Sequence, residues 1–458
     1  MCILKWSSSI IEGGIELQEG PEGWPGTLIL EGRTLANIPI PPVTHRGPAA
    51  REGAGFLNPA MAGSRTRSVM LLADALENDW LVPAGKPVRI IEALAATGIR
   101  SRRWLNEVPE QHIHRLHILC NDIDAVSIQW AKANLNKYPA EIDIQLNSGD
   151  ARSLMLDSGW QWIDIDPFGS PTPFIDSAIQ SCARVAVLDV CATDTAALTG
   201  SSPTACRRRY DAMAVVDDLR HDTGMRILLG ALARAAAKHD RTIEPKLVIF
   251  DDHHIRANVL VRRSKEAASE LHSCLGWRVH SPDTDELRTS MNAGLHPNDT
   301  SDLNQPSCIL PFNSPPELKE GRISGPLWIG SLGDRELLER MTEERAMELC
   351  APDSELQKTM DWSDKEMELA ERRLRKSVRG LSDSASAIEC PVVLPVDDIP
   401  KYFDVPGPPS PSQLARTLRL KGYRAANAVL QVPAIRTDAP WSVISEASLE
   451  VFGITPPK

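Results

Sequence analysis

Between Pro87 and Arg263 short apolar runs alternate with helix-length stretches, and no other feature restricts the fold of this chain as much. VRIIEAL leads into a helical stretch through Arg102 and Trp104, LHILCND into AVSIQWAKANL, and IDIQLN into DARSLM; WQWIDID and VAVLDVC follow. Strands separated by helices lie parallel, because a parallel neighbour is reached only by crossing over the sheet. The pattern predicts a mostly parallel sheet wrapped by helices, an α/β class. The helical run Asp222 to His239, followed by PKLVIF and ANVLVRR, is read as the close of the same sheet.

The remaining chain sets the boundaries. With 458 residues, 42% of them hydrophobic, more than one core is expected. Residues 1–85 carry the turn-rich PEGWPG, PIPPV and REGAG and form a preamble to the sheet, which gives a first domain over 1–263. Residues 264–325 are rich in Ser, Pro, Asn and Asp, and DRELLERMTEERAMELC and DKEMELAERRLRKSVR are charged helices. PVDDIPKYFDVPGPPSPS is a proline-rich connector and SPSQLARTLRLKGYRAANAVL a closing helix, so 264–458 is expected to be a smaller α+β domain. No stretch approaches the roughly 18 apolar residues of a membrane span. The N-terminal MCILKWSSSIIEGG lacks the layout of a signal peptide, which points to a cytoplasmic protein. Nine scattered cysteines without a C-x-x-C pair offer no disulfide framework, and a net charge of −11 confines any nucleic-acid surface to local basic clusters.

In an open α/β sheet ligands bind beyond the carboxyl ends of the strands. Four such ends are suggestive here. In EALAATGIRSRR, Glu92 ends a strand and Ala96, Thr97 and Gly98 make a small-residue turn into a helix. In CNDID, Asp122 or Asp124 suits a ribose diol, and in SGDARSL, Asp150 is placed to accept from an adenine amine. In WIDIDPFGSP, two acids sit in an apolar run and the second, Asp166, is followed by Pro167, Phe168 and Gly169. A buried acid is costly unless paired or used. G-x-G-x-x-G is absent, so the ordered series of acids fits S-adenosylmethionine better than a dinucleotide. Asp164 is assigned to the opposite strand face, as a paired structural carboxylate.

FLNPAM with SRTRS, ATGIRSRR, NDID with AVSIQWAKANL, DARSLM, DIDPFGSPTPFIDSAI, CATDTAALTG, ACRRRYDA, GMRILLGALARAAAKHD, HHIRANVLVRR, GPLWIGSL and IRTDAP extend along nearly the whole chain. Together they resemble the tRNA guanine-26 N2-dimethyltransferase family. The resemblance implies a Rossmann-like, class I S-adenosylmethionine-dependent methyltransferase fold with a C-terminal tRNA-binding domain. It implies transfer of one or two methyl groups to the exocyclic N2 of a guanine in tRNA, with tRNA as partner; the sequence itself suggests no membrane, and no protein partner is evident in it. Asp166 would accept an amine proton and act formally as the base, Pro167 would fix the backbone so that a neighbouring carbonyl holds the other proton, and Phe168 would stack on the base. Gly169 would allow close approach. Arg65 and Arg100 would hold the methionyl carboxylate, Asp122 the ribose, and Asp150 with Ala151 the adenine. Simpler alternatives exist: Arg65 and Arg67 as surface charges, Arg100 as a local pair, and Asp150 as a helix N-cap. Competing functions are an amino-methyltransferase acting on ribosomal RNA or DNA adenine, and a noncatalytic RNA binder. The match outside the catalytic motif argues against the first, and the intact Asp166-Pro167-Phe168-Gly169 against the second.

Three basic clusters are candidates for phosphate contact: Arg207, Arg208 and Arg209; Arg372, Arg373, Arg375, Lys376 and Arg379; and Arg419, Lys421 and Arg424. His253 and His254 are assigned structural roles, and Met225 a place in the core. Members of this family often carry a zinc ribbon ahead of GPLW, where this chain has only Cys274 and Cys308, so no metal is expected. Ser64-Arg65-Thr66 stands in place of Asn-Arg-Asp, Gly55 precedes FLN, and NAVLQVPAIR leads to TDAP without a histidine.

Overall fold

The alternating segment becomes one seven-stranded sheet in a computed structural model of the protein, which describes residues 21, 24, 26–39, 55, 57–136, 138, 142–297, 305–317, 321–390 and 392–455. An N-terminal hairpin, β1 (Gly26–Glu31) and β2 (Thr34–Pro39), precedes it. The sheet is built from β3 (Val88–Glu92), β4 (Leu116–Asp122), β5 (Asp143–Ser148), β6 (Trp160–Ile165), β7 (Cys182–Ala192), β8 (Arg241–Asp251) and β9 (His254–Arg263). Their order is β5-β4-β3-β6-β7-β9-β8. The five strands from β5 to β7 are parallel, and β9 runs antiparallel between β7 and β8. The chain winds from β3 outward to β5 and then returns to the other side of β3 with β6. That reversal opens a crevice at the carboxyl ends of β3 and β6, where ligands of such sheets bind.

One helix in the preamble was not expected. Ala62–Glu77 is helical and buried from Ser64 to Leu76. Its arginines disguise it in sequence, because they read as solvent-facing, yet each is inside and paired. Arg65 grips Glu31 of β1 through two contacts of 2.6 Å, and Arg67 meets Asp251 of β8 at 2.5 Å. The helix thus ties the hairpin to the far edge of the sheet.

A main hydrophobic core runs from Val69 to Ile388, so segments on both sides of residue 263 contribute to it. After the large sheet, β10 (Leu275–His280) lies between β11 (Ser307–Pro311) and β12 (Ile323–Trp328) in an antiparallel sheet. The charged helices Arg335–Arg340 and Glu343–Cys350 fold back on the Ala62–Glu77 helix, with Arg340 on Asp74 and Arg345 on Glu77, each at 2.6 Å. A separate small core spans Leu394 to Ala447 around β13 (Val392–Pro395), β14 (Ala425–Asn427) and β15 (Ala434–Thr437). The expected closing helix is shorter than its sequence pattern: it covers Pro411–Leu420 and stops before Gly422, whose φ of 92° leaves the helical region. β14, β15 and a last helix, Trp441–Val451, follow it.

The two cores are joined by a buried charge hub. Asp222 of the Arg220–Ala237 helix accepts from Arg226 at 2.9 Å, and also from Arg278 of β10 and Arg436 of β15. All four side chains are at most 4% exposed. Three guanidinium groups would repel each other there without their shared anion, and removing one member of a buried pair costs about 3–5 kcal/mol. Asp222→Asn should therefore lower unfolding stability by about that amount in guanidinium titrations at neutral pH. An unchanged midpoint and slope would show that the hub is not what binds the halves.

Candidate active site

A row of polar side chains crosses the sheet just below its carboxyl edge. Glu92 of β3 is registered with Asp164 of β6, and Asp164 with Asp189 of β7. Registered residues on adjacent strands point to one face, so three carboxyl groups stand side by side, each at most 3% exposed. Two arginines answer them. Arg100, in the first turn of the Ile99–Glu107 helix, reaches Asp166 at 2.6 Å and Asp164 at 3.3 Å. Arg256, from β9, contacts Asp164, reaches Asp189 at 2.5 Å and Asp166 at 3.4 Å.

Four acids face two fixed cations, and the charges divide unequally. Burial, followed by the neighbouring Asp164, pushes Glu92 up to about 7, although Ser101 donates to it at 2.5 Å. Burial also raises Asp164 to about 6. Asp166, against its own partial burial, is drawn down to about 2 by Arg256 and Arg100. Asp166 is therefore an anion at neutral pH, with its side chain 20% exposed, whereas Asp164 is 1% exposed. The placement of Asp164 on the opposite face is corrected: residues two apart along an extended chain share a face, and both acids meet the same two guanidinium groups. Its pairing is as expected.

Beyond Asp166 the chain bends away from the strand. Phe168 is 59% exposed, and Gly169 has a φ of 88°, a region that disfavours any side chain. The bend is pinned from below, since Gly169 donates to the Thr193 hydroxyl at 2.6 Å and Thr193 donates back to the Gly169 carbonyl at 3.0 Å. Ser170 meets the Tyr210 hydroxyl at 3.0 Å, Tyr210 donates to Asp194 at 2.6 Å, and Arg209 donates to the same carboxylate at 2.9 Å. CATDTAALTG and ACRRRYDA thus converge beneath DPFG. Their part was not assigned from sequence, because residues distant along the chain meet only once β7 and the Pro203–Tyr210 helix are in place.

The crevice beside this bend holds most of the other candidates. Ala96 has a φ of 48° and Gly98 one of 67°, so the turn after β3 curls tightly. At Gly98 an added Cβ would lie 3.1 Å from Ala131, which explains a glycine there. Asp122 accepts from the Ala96 amide at 2.9 Å and the Asp124 amide at 3.0 Å, and so is held rigidly where β4 ends. Asp150 caps the Ala151–Met155 helix and pairs with Arg152 at 2.5 Å; Ala151 is buried behind it. Arg100 keeps its Nη1 buried and without a hydrogen-bond partner among the described residues, which suits an incoming carboxylate. Arg65 is turned elsewhere, onto Glu31 and the Asn58 carbonyl. The residues present thus fit a nucleoside with a carboxylate tail.

Arg256 and Asp189 were missed, although VAVLDVC sets a single charge in an apolar strand and Arg256 precedes the apolar run of HHIRANVLVRR, a partial signal for both. His254, beside them, is buried, and burial followed by Arg67 lowers it to about 3, so it is neutral. Met225 is in the core. Of the basic clusters, Arg372, Arg373 and Lys376 are exposed, while Lys421 and Arg424 are engaged by Glu446, Glu450, Glu389 and Asp438. Cys308 is buried and Cys274 half-buried, and among the described residues no group of His, Cys, Asp or Glu could hold a metal ion. Among the described residues no helix is long and apolar enough to cross a membrane.

Residues 49–448 match the family model of N2,N2-dimethylguanosine tRNA methyltransferases. The tRNA (guanine(26)-N(2))-dimethyltransferase of Methanosphaerula palustris is 30% identical over 421 residues, covering 92% of this chain and 98% of the relative. That of Pyrococcus furiosus is 28% identical over 94% of this chain and 98% of its own length. The complex of Trm1 from Pyrococcus horikoshii with S-adenosyl-L-methionine superposes with a TM-score of 0.69 at 26% identity, covering 92% of this chain and 99% of that one.

The elevated Glu92 sets a stability slope. Its folded value of about 7 lies above the ordinary 4.5, so the folded state binds more protons between these values. Stability then falls as pH rises through that window. Glu92→Gln keeps an acceptor for Ser101 and removes the charge, and should recover on the order of 3 kcal/mol at pH 8 relative to pH 4.5. Denaturant titrations at the two pH values read this directly; equal pH slopes in both proteins would refute the assignment.

Proposed function

The chain belongs to the N2,N2-dimethylguanosine tRNA methyltransferase family, and from that premise we propose that it methylates the exocyclic N2 of guanine 26 in tRNA, once and then again. The observation that carries this reading is the ionised Asp166 at the mouth of the crevice, on a pinned bend beside the exposed ring of Phe168. S-adenosylmethionine, when bound, supplies a sulfonium methyl group open to attack by nitrogen. Arg100, Arg65, Asp122, Asp150 and Ala151 are the residues assigned to hold it, and for Arg65 this requires release from Glu31.

Guanine N2 is a poor nucleophile because its lone pair is delocalised into the ring. An acceptor on one of its hydrogens localises that pair and aims it. Asp166 is that acceptor. Held at about 2 by two arginines, it orients far better than it retains a proton. The carbonyl beside Pro167 takes the second hydrogen, and Phe168 stacks on the base. After one transfer a single N–H remains, and Asp166 alone suffices to hold it, so the same site serves both methylations.

The nucleotide must leave its stack to reach this bend, at a cost of a few kcal/mol. Phosphate contacts offset that cost. The proposal assigns them to Arg207, Arg208 and Arg209, on the helix tied to the bend through Tyr210, and to Arg372, Arg373 and Lys376 within a tRNA-binding segment, 264–458. It places the enzyme with its substrate in the cytoplasm.

Incubation with labelled S-adenosylmethionine and unmodified tRNA, followed by digestion to nucleosides, should yield N2-methyl- and N2,N2-dimethylguanosine. Label in adenosine, or none at all, would overturn the reading. Asp166→Asn should lower single-turnover transfer by about 10²–10⁴-fold while tRNA retention on filters is preserved. Phe168→Ala should weaken productive tRNA binding by about 1–3 kcal/mol, read as a rise in KM.

A further inference from the structure

We propose that Arg256 is a positioning residue for methyl transfer: from the antiparallel strand β9 it bridges Asp164, Asp166 and Asp189 and fixes the direction in which Asp166 presents its carboxylate. The inference rests on the functional reading above and adds a residue to it. Arg256 is 2% exposed and lies opposite Cys191 in the β7–β9 register, so its guanidinium passes over β7 to the end of β6. Asp164 and Asp189 close on it from two strands, and Asp166 completes the set at 3.4 Å.

Arg100 cannot do this work alone. It also bonds Asp166, but the functional reading assigns it to the cofactor carboxylate as well, toward which its Nη1 has no competing hydrogen bond among the described residues. Any turn of Arg100 toward that carboxylate loosens its hold on Asp166. Arg256 is as buried as Arg100 and is held by Asp164 and Asp189 from two neighbouring strands, so it retains the acceptor whichever way Arg100 faces. Buried ion clusters of this kind are poor devices for stability, since well-packed apolar residues often do as well. Four acids gathered around two cations therefore point to a use.

The groups facing Asp166 are Arg100 from its helix, Asp164 from its own strand, Asp189 and Cys191 from β7, and Arg256 with His254 from β9. His254 is neutral, and Cys191, whose thiol burial raises, bonds Asp166 as a neutral donor. Arg256 is thus one of two cations holding the acceptor ionised. Weakening it moves the protonation of Asp166 to higher pH.

The test uses the full-length protein, with single-turnover transfer to an unmodified tRNA transcript measured across pH and S-adenosylmethionine affinity measured by calorimetry. Arg256→Lys keeps the charge and loses the planar fork, and should slow transfer by about 10²-fold, the scale of a small misplacement. The acid limb of its pH profile should move upward while cofactor affinity is unchanged. Arg256→Met combined with Asp189→Asn removes one charge of each sign, so it should fold even if Arg256→Met alone does not, and should be slower than the lysine variant. Wild-type rate and acid limb in the lysine variant would overturn the proposal, as would parallel loss of rate and cofactor affinity in both, which marks a purely structural role. Absence of transfer by the unaltered enzyme would remove the functional reading and this inference with it.

Discussion

The site depends on an imbalance: Asp164, Asp189 and Asp166 share two guanidinium groups, Arg100 and Arg256, with Glu92 buried beside Asp164 as a fourth acid. In water such a surplus of acids is trivial. Under a sheet it forces protons onto some members and strips them from others, because like charges at short range in a low dielectric cannot all persist. Burial raises Glu92 and Asp164, whereas the two arginines lower Asp166, the most exposed of the four. The row of buried acids thus buffers the interior while the one carboxylate that reaches the crevice stays charged. Pairing, burial and strand register together decide which acid is free to meet a substrate.

The same logic of shared charge recurs where the chain is assembled. Asp222 serves Arg226, Arg278 and Arg436, contributed by a helix of the first core, a strand of the second sheet and a strand of the small C-terminal core. Arg65 and Arg67 tie the Ala62–Glu77 helix to β1 and β8. The arginines committed inward in this way, Arg65, Arg67, Arg226, Arg278 and Arg436 among them, contribute nothing to a basic surface. The basic clusters at the surface differ in the same respect: Arg372, Arg373 and Lys376 are displayed, whereas Lys421 and Arg424 are neutralised by their own neighbours.

The parallel sheet was legible because its signal is local: short strand-like runs alternate with helix-length stretches, and each crossover helix makes the strands on either side of it parallel. The bend at Asp166 was legible too, since Pro167, Phe168 and Gly169 are unusual after an acid in a strand. The Ala62–Glu77 helix was not, because Arg65 and Arg67 inside it break the apolar pattern, and their partners Glu31 and Asp251 lie far away in sequence. Arg256 failed for the same reason. A buried charge announces itself only beside its counter-charges, and here they come from β6 and β7. Strand alternation, misapplied, separated Asp164 from Asp166, whereas residues two apart share a face and both meet the same pair of guanidinium groups.

A carboxylate held at about 2 is an odd choice for a base, and this narrows what Asp166 can contribute. It cannot retain a proton at neutral pH, so the proton released in each transfer must pass on to solvent, and the 20% exposure of the side chain leaves that route open. On the proposed reading its work is done before the bond forms, by accepting a hydrogen from an amine whose lone pair must be turned out of conjugation. A strong base would give little more, because the nitrogen becomes acidic as soon as it gains a methyl group. A weakly basic, rigidly held acceptor also treats the amine and the methylamine alike, since each offers at least one N–H. In the proposed mechanism low basicity and fixed direction let the site act twice on one nitrogen, and the arginine pair supplies both.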